Sequence, residues 1–250
     1  MIVETRQNRL DIRVENHRFG ATDVTGPIAT ILIDGVNVFE NATGFIGFDP
    51  DDLLGPDQPL LPAASPRRVA VYQCGCGEPG CGVLAPVVSG TGTEVRWTDF
   101  QNFTASFDGP LSAEVPTDGR PQHISDLIFA SAQYFEEVKR AAADRSWETP
   151  VRTTARLLSA MLEEISGALA DLDLSLEWVF PAHCREAGVS LSLLDITHRY
   201  VNGLAGRLIL TLDAGPGTPK DRAAEMFGAL MSTAPDQWMT VFPWESLGTC

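Results

Sequence analysis

The segment Cys74-Gly75-Cys76-Gly77-Glu78-Pro79-Gly80-Cys81-Gly82 is where residue type and spacing best suit chemistry. On an extended strand Cys74 and Cys76 share a face, because side chains alternate. A tight turn at Gly77-Glu78-Pro79-Gly80 would then fold Cys81 back toward them. Three thiolates on a glycine-rich corner could hold Zn²⁺ in near-tetrahedral geometry, the glycines letting the backbone wrap closely. A structural zinc wants a fourth ligand, for which His183 and Cys184 are the distant candidates. A water in that position would instead make the metal catalytic in type. The spacing differs from the paired Cys-x-x-Cys zinc patterns. The plainer alternative is that these cysteines are small residues packed in a crowded hairpin, and a redox role is a third reading.

Other groups point less sharply. The histidines at 17, 123, 183 and 198 form no HExxH or paired metal spacing. His183 and Cys184 would act as base and nucleophile only if the fold turned them face to face, since strand neighbours point apart. No Gly-x-Ser-x-Gly elbow is present. Asp49, Asp51, Asp52 and Asp57 break the EF-hand pattern, and capping of a short helical turn explains the first three. Gly215-Pro216-Gly217-Thr218-Pro219-Lys220 lacks the Gly-Lys-Ser/Thr ending of a P-loop and reads as a capped helix start.

The elements that must position these groups are read from patterning. Ile28–Ile33 and Val36–Phe39 flank Asp34-Gly35, a dipeptide suited to a type I′ hairpin turn. Asp49-Pro50 should open one helical turn that Gly55 stops. From Arg68 the chain reads as a meander: a strand to Cys74, a second over Val83–Val88 and a third over Thr93–Phe100. Ser131 is the expected cap of a helix carrying Tyr134, Phe135, Val138 and Ala142. Thr149-Pro150 opens a second, striped by Val151, Ala155, Leu158, Met161, Leu162 and Ile165. Strands follow at Leu174–Phe180 and Arg207–Asp213, then a helix opened by Thr218-Pro219. A last strand is expected over Trp238 to Trp244, where Trp238 and Trp244 are core or interface residues.

This order predicts an α+β fold, mainly antiparallel sheet with a helical layer from the middle of the chain. Two halves are expected, a β-rich 1–148 with the cysteine hairpin and one helix, and an α+β 149–250. A single domain with a helical layer fits nearly as well.

The hairpin, with Val95-Arg96-Trp97-Thr98-Asp99-Phe100 and Asp144-Arg145-Ser146-Trp147-Glu148-Thr149-Pro150, resembles a cysteine-bearing β-hairpin found in uncharacterised bacterial proteins of about this size. The resemblance covers about a fifth of the chain. It implies a bacterial protein folding as one recurring unit, and it carries no established activity with it.

The chain has 250 residues, 33 Asp and Glu against 18 Lys and Arg, and a net charge of -15. Such a surface repels phosphate backbones and anionic membranes, and attracts basic proteins. No apolar run approaches the roughly 20 residues of a membrane span. The N-terminal residues lack the apolar core of a signal peptide, and an odd cysteine count suits reduced thiols, so the cytoplasm is the expected compartment. The leading functional expectation is a non-enzymatic binding protein with a basic partner, an immunity protein paired with a toxin being one form. The others are a metal-assisted hydrolase using Cys74, Cys76 and Cys81, and a structural subunit of an assembly.

Overall fold

The computed structural model describes residues 6–18, 25–37, 44–55, 59–75, 81–104, 110–113, 119–182, 188–195 and 206–243. It is an α+β structure of antiparallel sheets and helices. The chain divides into two compact units, residues 1–147 and 148–250.

The first unit is built on two sheets. Strands β1 (Leu10–Arg18) and β2 (Thr25–Ile33) form an antiparallel ribbon, Leu10 opposite Ile33 and Arg18 opposite Thr25. The Asp34-Gly35 turn forms with positive φ at both residues, 54° and 81°, as a type I′ turn requires. Of the strand expected after it, the described residues hold a bridge from Val36 to Ile33, and Val38 and Phe39 lie outside the described residues. β2 pairs with the preceding strand β1, whose first half alternates Leu10, Ile12 and Val14 with charged residues.

The second sheet centres on β6 (Val83–Gly90) and β7 (Glu94–Phe103), with β10 (Leu127–Ala130) on the far side of β7. Short strands complete it. These are β3 (Phe45–Ile46), β4 (Arg67–Arg68), β5 (Tyr72–Cys74), β8 (Leu111–Ser112) and β9 (Arg120–Pro121). The expected strand over 68–74 is broken into β4 and β5, but Val69 and Val71 still donate to the Pro86 and Leu84 carbonyls. Helix α1 (Pro50–Leu54) starts on Asp49, whose carboxylate accepts from the Asp51 N–H. Helix α2 (Ser131–Ala143) begins one residue before its expected start. Ser131 is its first helical residue rather than its cap; its N–H is taken by the Thr93 carbonyl, and Ala130 is the cap.

Trp97, Phe129 and Tyr134 meet at the centre of this core with ring centroids 5.3–6.3 Å apart. Burial of such rings would orphan their polar atoms unless each found a partner. Trp97 Nε1 donates to Tyr134 Oη at 3.1 Å, and Tyr134 Oη donates to the Leu60 carbonyl at 2.8 Å. The Tyr72 hydroxyl does the same between sheets, accepting from the Ile31 N–H and donating to the Ile31 carbonyl.

The second unit is an antiparallel meander of β11 (Leu174–Pro181), β12 (Gly188–Asp195) and β13 (Arg207–Asp213). Its helices are α3 (Pro150–Glu164), α4 (Ser166–Ala170) and α5 (Pro219–Ser232). Thr149 caps α3 as expected, and Thr218 with Asp221 forms a reciprocal capping box on α5. Leu158 and Leu162 of α3 and Met226 and Leu230 of α5 bury against Val189, Leu191, Leu193, Leu208, Leu210 and Leu212.

The expected last strand is a correction. Residues Trp238–Val241 form a helical turn, α6, because Pro235 starts a 3₁₀ turn that runs directly into it. Trp238 Nε1 donates to the Leu230 and Thr233 carbonyls, tying the turn to the end of α5. Trp244 lies outside the described residues. Among the described residues, no helix is long and apolar enough to cross a membrane.

Candidate functional site

The cysteine hairpin stands at one end of the second sheet of unit 1. Gln73 pairs with Val83 and Tyr72 with Leu84, and the Cys74 N–H donates to the Gly82 carbonyl at 2.8 Å. That bond brings Cys74 and Gly82 together at the two ends of the cysteine-bearing segment. On its other side β5 pairs with β3, Cys74 opposite Phe45, and the Gly75 N–H donates to the Gly44 carbonyl. Gly75 is glycine for a steric reason. A Cβ there would stand 3.1 Å from Ile46 Cγ2 and 3.2 Å from the Gly44 carbonyl oxygen, closer than β3 could tolerate without shifting.

The thiols fare differently. Cys74 is half-buried and packs against the unit 1 core, on the same face as Tyr72, while Cys81 is exposed at the end of the turn. Cys76 lies outside the described residues, as do His183 and Cys184. Among the described residues no three His, Cys, Asp or Glu side chains converge as a metal would need. Asn102 of β7, opposite Leu84, brings its Oδ1 to the corner, where it is buried and meets no hydrogen-bond partner among the described residues. A Cβ on Gly82 would lie 3.4 Å from that oxygen.

Next to this corner the sheet carries a buried cation. Asp99 takes a left-handed φ of 45° and makes β7 one residue longer than β6 between the pairs Ala85–Gln101 and Val87–Thr98. Arg68, only 4% exposed, fills the resulting bulge. Its guanidinium donates to the Ala85 carbonyl at 2.8 Å, to the Asp99 carbonyl at 2.7 Å and to the Asp99 carboxylate. It also lies 5.6 Å from the centroid of the Phe103 ring. Hydrogen bonds from Gln101, then Arg68, hold the Asp99 carboxyl below the usual carboxylate range.

The second unit holds a polar group that sequence reasoning missed. Glu177 sits at a bulge in β11 and accepts from Ser192 Oγ and from Arg207 Nε, each at 2.7 Å. A hydroxyl donating to a carboxylate has the outline of a nucleophile and its base. Arg207, however, holds Glu177 below its ordinary range, with Ser192 a smaller cause, and so makes it a weaker base. The one signal in the sequence was the pair of serines at 190 and 192 within an otherwise apolar strand.

No family model matches the chain, and no curated protein or solved structure matches it. The remaining expected sites resolve into capping. Asp51 pairs with Arg145 at 3.3 Å, and Asp57 lies outside the described residues. At 215–220 the Gly215 N–H donates to Glu225 and the Thr218 N–H to Asp221. Two carboxylates therefore occupy the donors that a phosphate would need.

Proposed function

We propose that this protein is a non-enzymatic binding protein that recognises a basic protein partner, with an immunity-type inhibitor of a basic toxin as one form of that role. The observation that carries this reading is the charge of -15 together with where the arginines go. Arg13, Arg68, Arg96, Arg140, Arg156 and Arg207 are each held by a carboxylate of the same unit. Cations committed internally leave the acidic excess to be met from outside. A field of one sign speeds encounter with a partner of the other and discourages wrong partners.

The test is retention of small basic proteins on the immobilised full-length chain. A one-to-one complex at low salt is expected, released by about 1 M salt, where the Debye length falls to about 3 Å. An acidic protein of similar size should pass through. If no basic protein is retained at low salt, the reading fails.

The hairpin supports a second reading, a zinc ion on Cys74, Cys76 and Cys81, serving a metal-assisted hydrolase or stapling the fold. What favours it is the Cys74–Gly82 hydrogen bond, which brings the two ends of the cysteine-bearing turn side by side. The packing of Cys74 against the core weighs on the other side. Protein purified without chelator is expected to carry one zinc per chain, lost in Cys76→Ser together with thermal stability. Metal-free protein whose thiols all titrate on unfolding would end this reading.

A further inference from the structure

Strand β1 has an outer edge, and the first part of it is occupied in an unusual way. Gln133 of α2 donates from Nε2 to the Leu10 carbonyl at 2.6 Å and accepts the Leu10 N–H on Oε1 at 3.1 Å. One turn on, Glu137 Oε1 accepts the Ile12 N–H at 2.7 Å, and Arg140 donates to the Ile12 carbonyl at 2.6 Å. Three side chains at helical spacing thus stand in for a neighbouring strand, offering donor and acceptor in the order a ladder would.

The substitute ends where the helix ends. Peptide groups alternate along a strand, so Val14 and Asn16 send their N–H and carbonyl groups the same way as Leu10 and Ile12. Among the described residues these groups meet no hydrogen-bond partner. The opposite edge of the ribbon is closed by contrast: Phe48 accepts the Ala29 N–H, Tyr72 the Ile31 N–H, and Pro27 offers none. An open edge beside a closed one is a template for one added strand.

Alongside the open edge runs a groove of about 420 Å³. It is lined by Ile12, Val14 and Ala141 and by the carboxylates Asp11, Glu15 and Asp144. Its two arginines are already committed, Arg13 to Asp11 at 3.2 Å and Arg140 to Glu137 at 2.6 Å. Among the described residues no ion pair holds Glu15 or Asp144. Hydrogen bonds from Ser146 keep the Asp144 carboxyl below its ordinary range, hence ionised at neutral pH.

We propose that β1 from Val14 onward is a docking edge for an extended basic segment of the partner, which adds as a strand and sets its cationic side chains against Glu15 and Asp144. This rests on the basic-partner reading above. Main-chain bonds to Val14 and Asn16 supply the attachment, and the carboxylates select the charge.

The test uses the full chain with two synthetic eight-residue peptides, one alternating Arg and Val and one alternating Arg and Thr, and a Glu-Val peptide as control. Amide hydrogen exchange is read residue by residue at low salt. The Arg peptides are expected to slow exchange at Val14 and Asn16 by about tenfold or more, the Glu peptide not at all. Asn16→Pro removes an outward N–H opposite Pro27 and should abolish the effect while the Arg13 and Glu15 amides stay protected. Glu15→Lys with Asp144→Lys, which leaves every edge amide in place, should weaken binding about tenfold. Binding that leaves Val14 and Asn16 unchanged would overturn the docking edge and spare the basic-partner reading. Failure of both Arg peptides to bind overturns the edge, whatever protein capture shows. Slow, concentration-dependent exchange at these amides without peptide would assign the edge to a second copy of the chain and overturn it too.

Discussion

Trp97→Ala is expected to destabilise the first unit by about 4 kcal/mol, the largest single effect in the molecule. Trp97 is fully buried and meets Phe129 of β10 and Tyr134 of α2 edge-on, so truncation leaves a cavity that neighbours anchored in a strand and a helix cannot close. It also strips the Tyr134 hydroxyl of its donor. Trp97→Phe separates the two contributions. It keeps most of the ring area but loses the Nε1–H, and should cost about 1–2 kcal/mol. Urea unfolding followed by circular dichroism, with hydrogen exchange of the β6, β7 and β10 amides, measures both. A loss below about 1 kcal/mol for the alanine variant would show that these rings are not the centre of the core.

Arg68→Met is expected to cost about 3 kcal/mol in the same unit. Methionine matches the arginine stem in length, so packing over Phe103 is largely kept. What is lost is the set of donors to the Ala85 and Asp99 carbonyls, which lie at the bulge. The carboxylate of Asp99 is half-exposed and water replaces its share of the interaction, so most of the loss comes from the two carbonyls. Arg68→Lys should recover only part, because the guanidinium reaches both carbonyls from Nη1 and the Asp99 carboxylate from Nη2, and one ammonium on a differently shaped stem cannot hold all three acceptors. The acid limb carries a second signature. Asp99 is depressed in the folded state, so its contribution is present above its unfolded value and is lost as pH falls through the folded one. Stability of the methionine variant should therefore fall less between neutral pH and about pH 3 than that of the unaltered protein. Equal acid slopes, or a loss below about 1 kcal/mol, would mean that the bulge holds without its arginine.

These two sites differ in how much of them a sequence can disclose. Trp97 lies in a segment of clear alternation, and its burial follows from that pattern. Arg68 reads as one of two surface arginines at a strand start. Nothing local announces that β7 will carry one residue too many at Asp99, and it is that irregularity which turns a charged side chain inward. The cysteine corner is intermediate. The glycines and the turn were legible in Cys74 to Gly82, and the structure pairs β5 with β6 as that pattern requires. That Cys74 packs inward while Cys81 stands exposed depends on the face β5 presents to β2 and β3, which no spacing encodes.

Short-range chemistry is what this sequence determined by itself. Asp49-Pro50, Thr149-Pro150 and Thr218-Pro219 each start a helix, because a cap needs only its own next three residues. The Asp34-Gly35 turn follows from the tolerance of its two residues for positive φ. The α+β class follows from segregated periodicities. Tertiary structure alone decided which strand pairs with which. It joined β1 to β2, and it made a helical turn of the Trp238 segment where a strand was expected. It also set Gln133, Glu137 and Arg140 against the edge of β1, more than a hundred residues away along the chain. Such pairings are chosen by the whole set of faces that must be buried and edges that must be satisfied, and no window of the sequence contains that set.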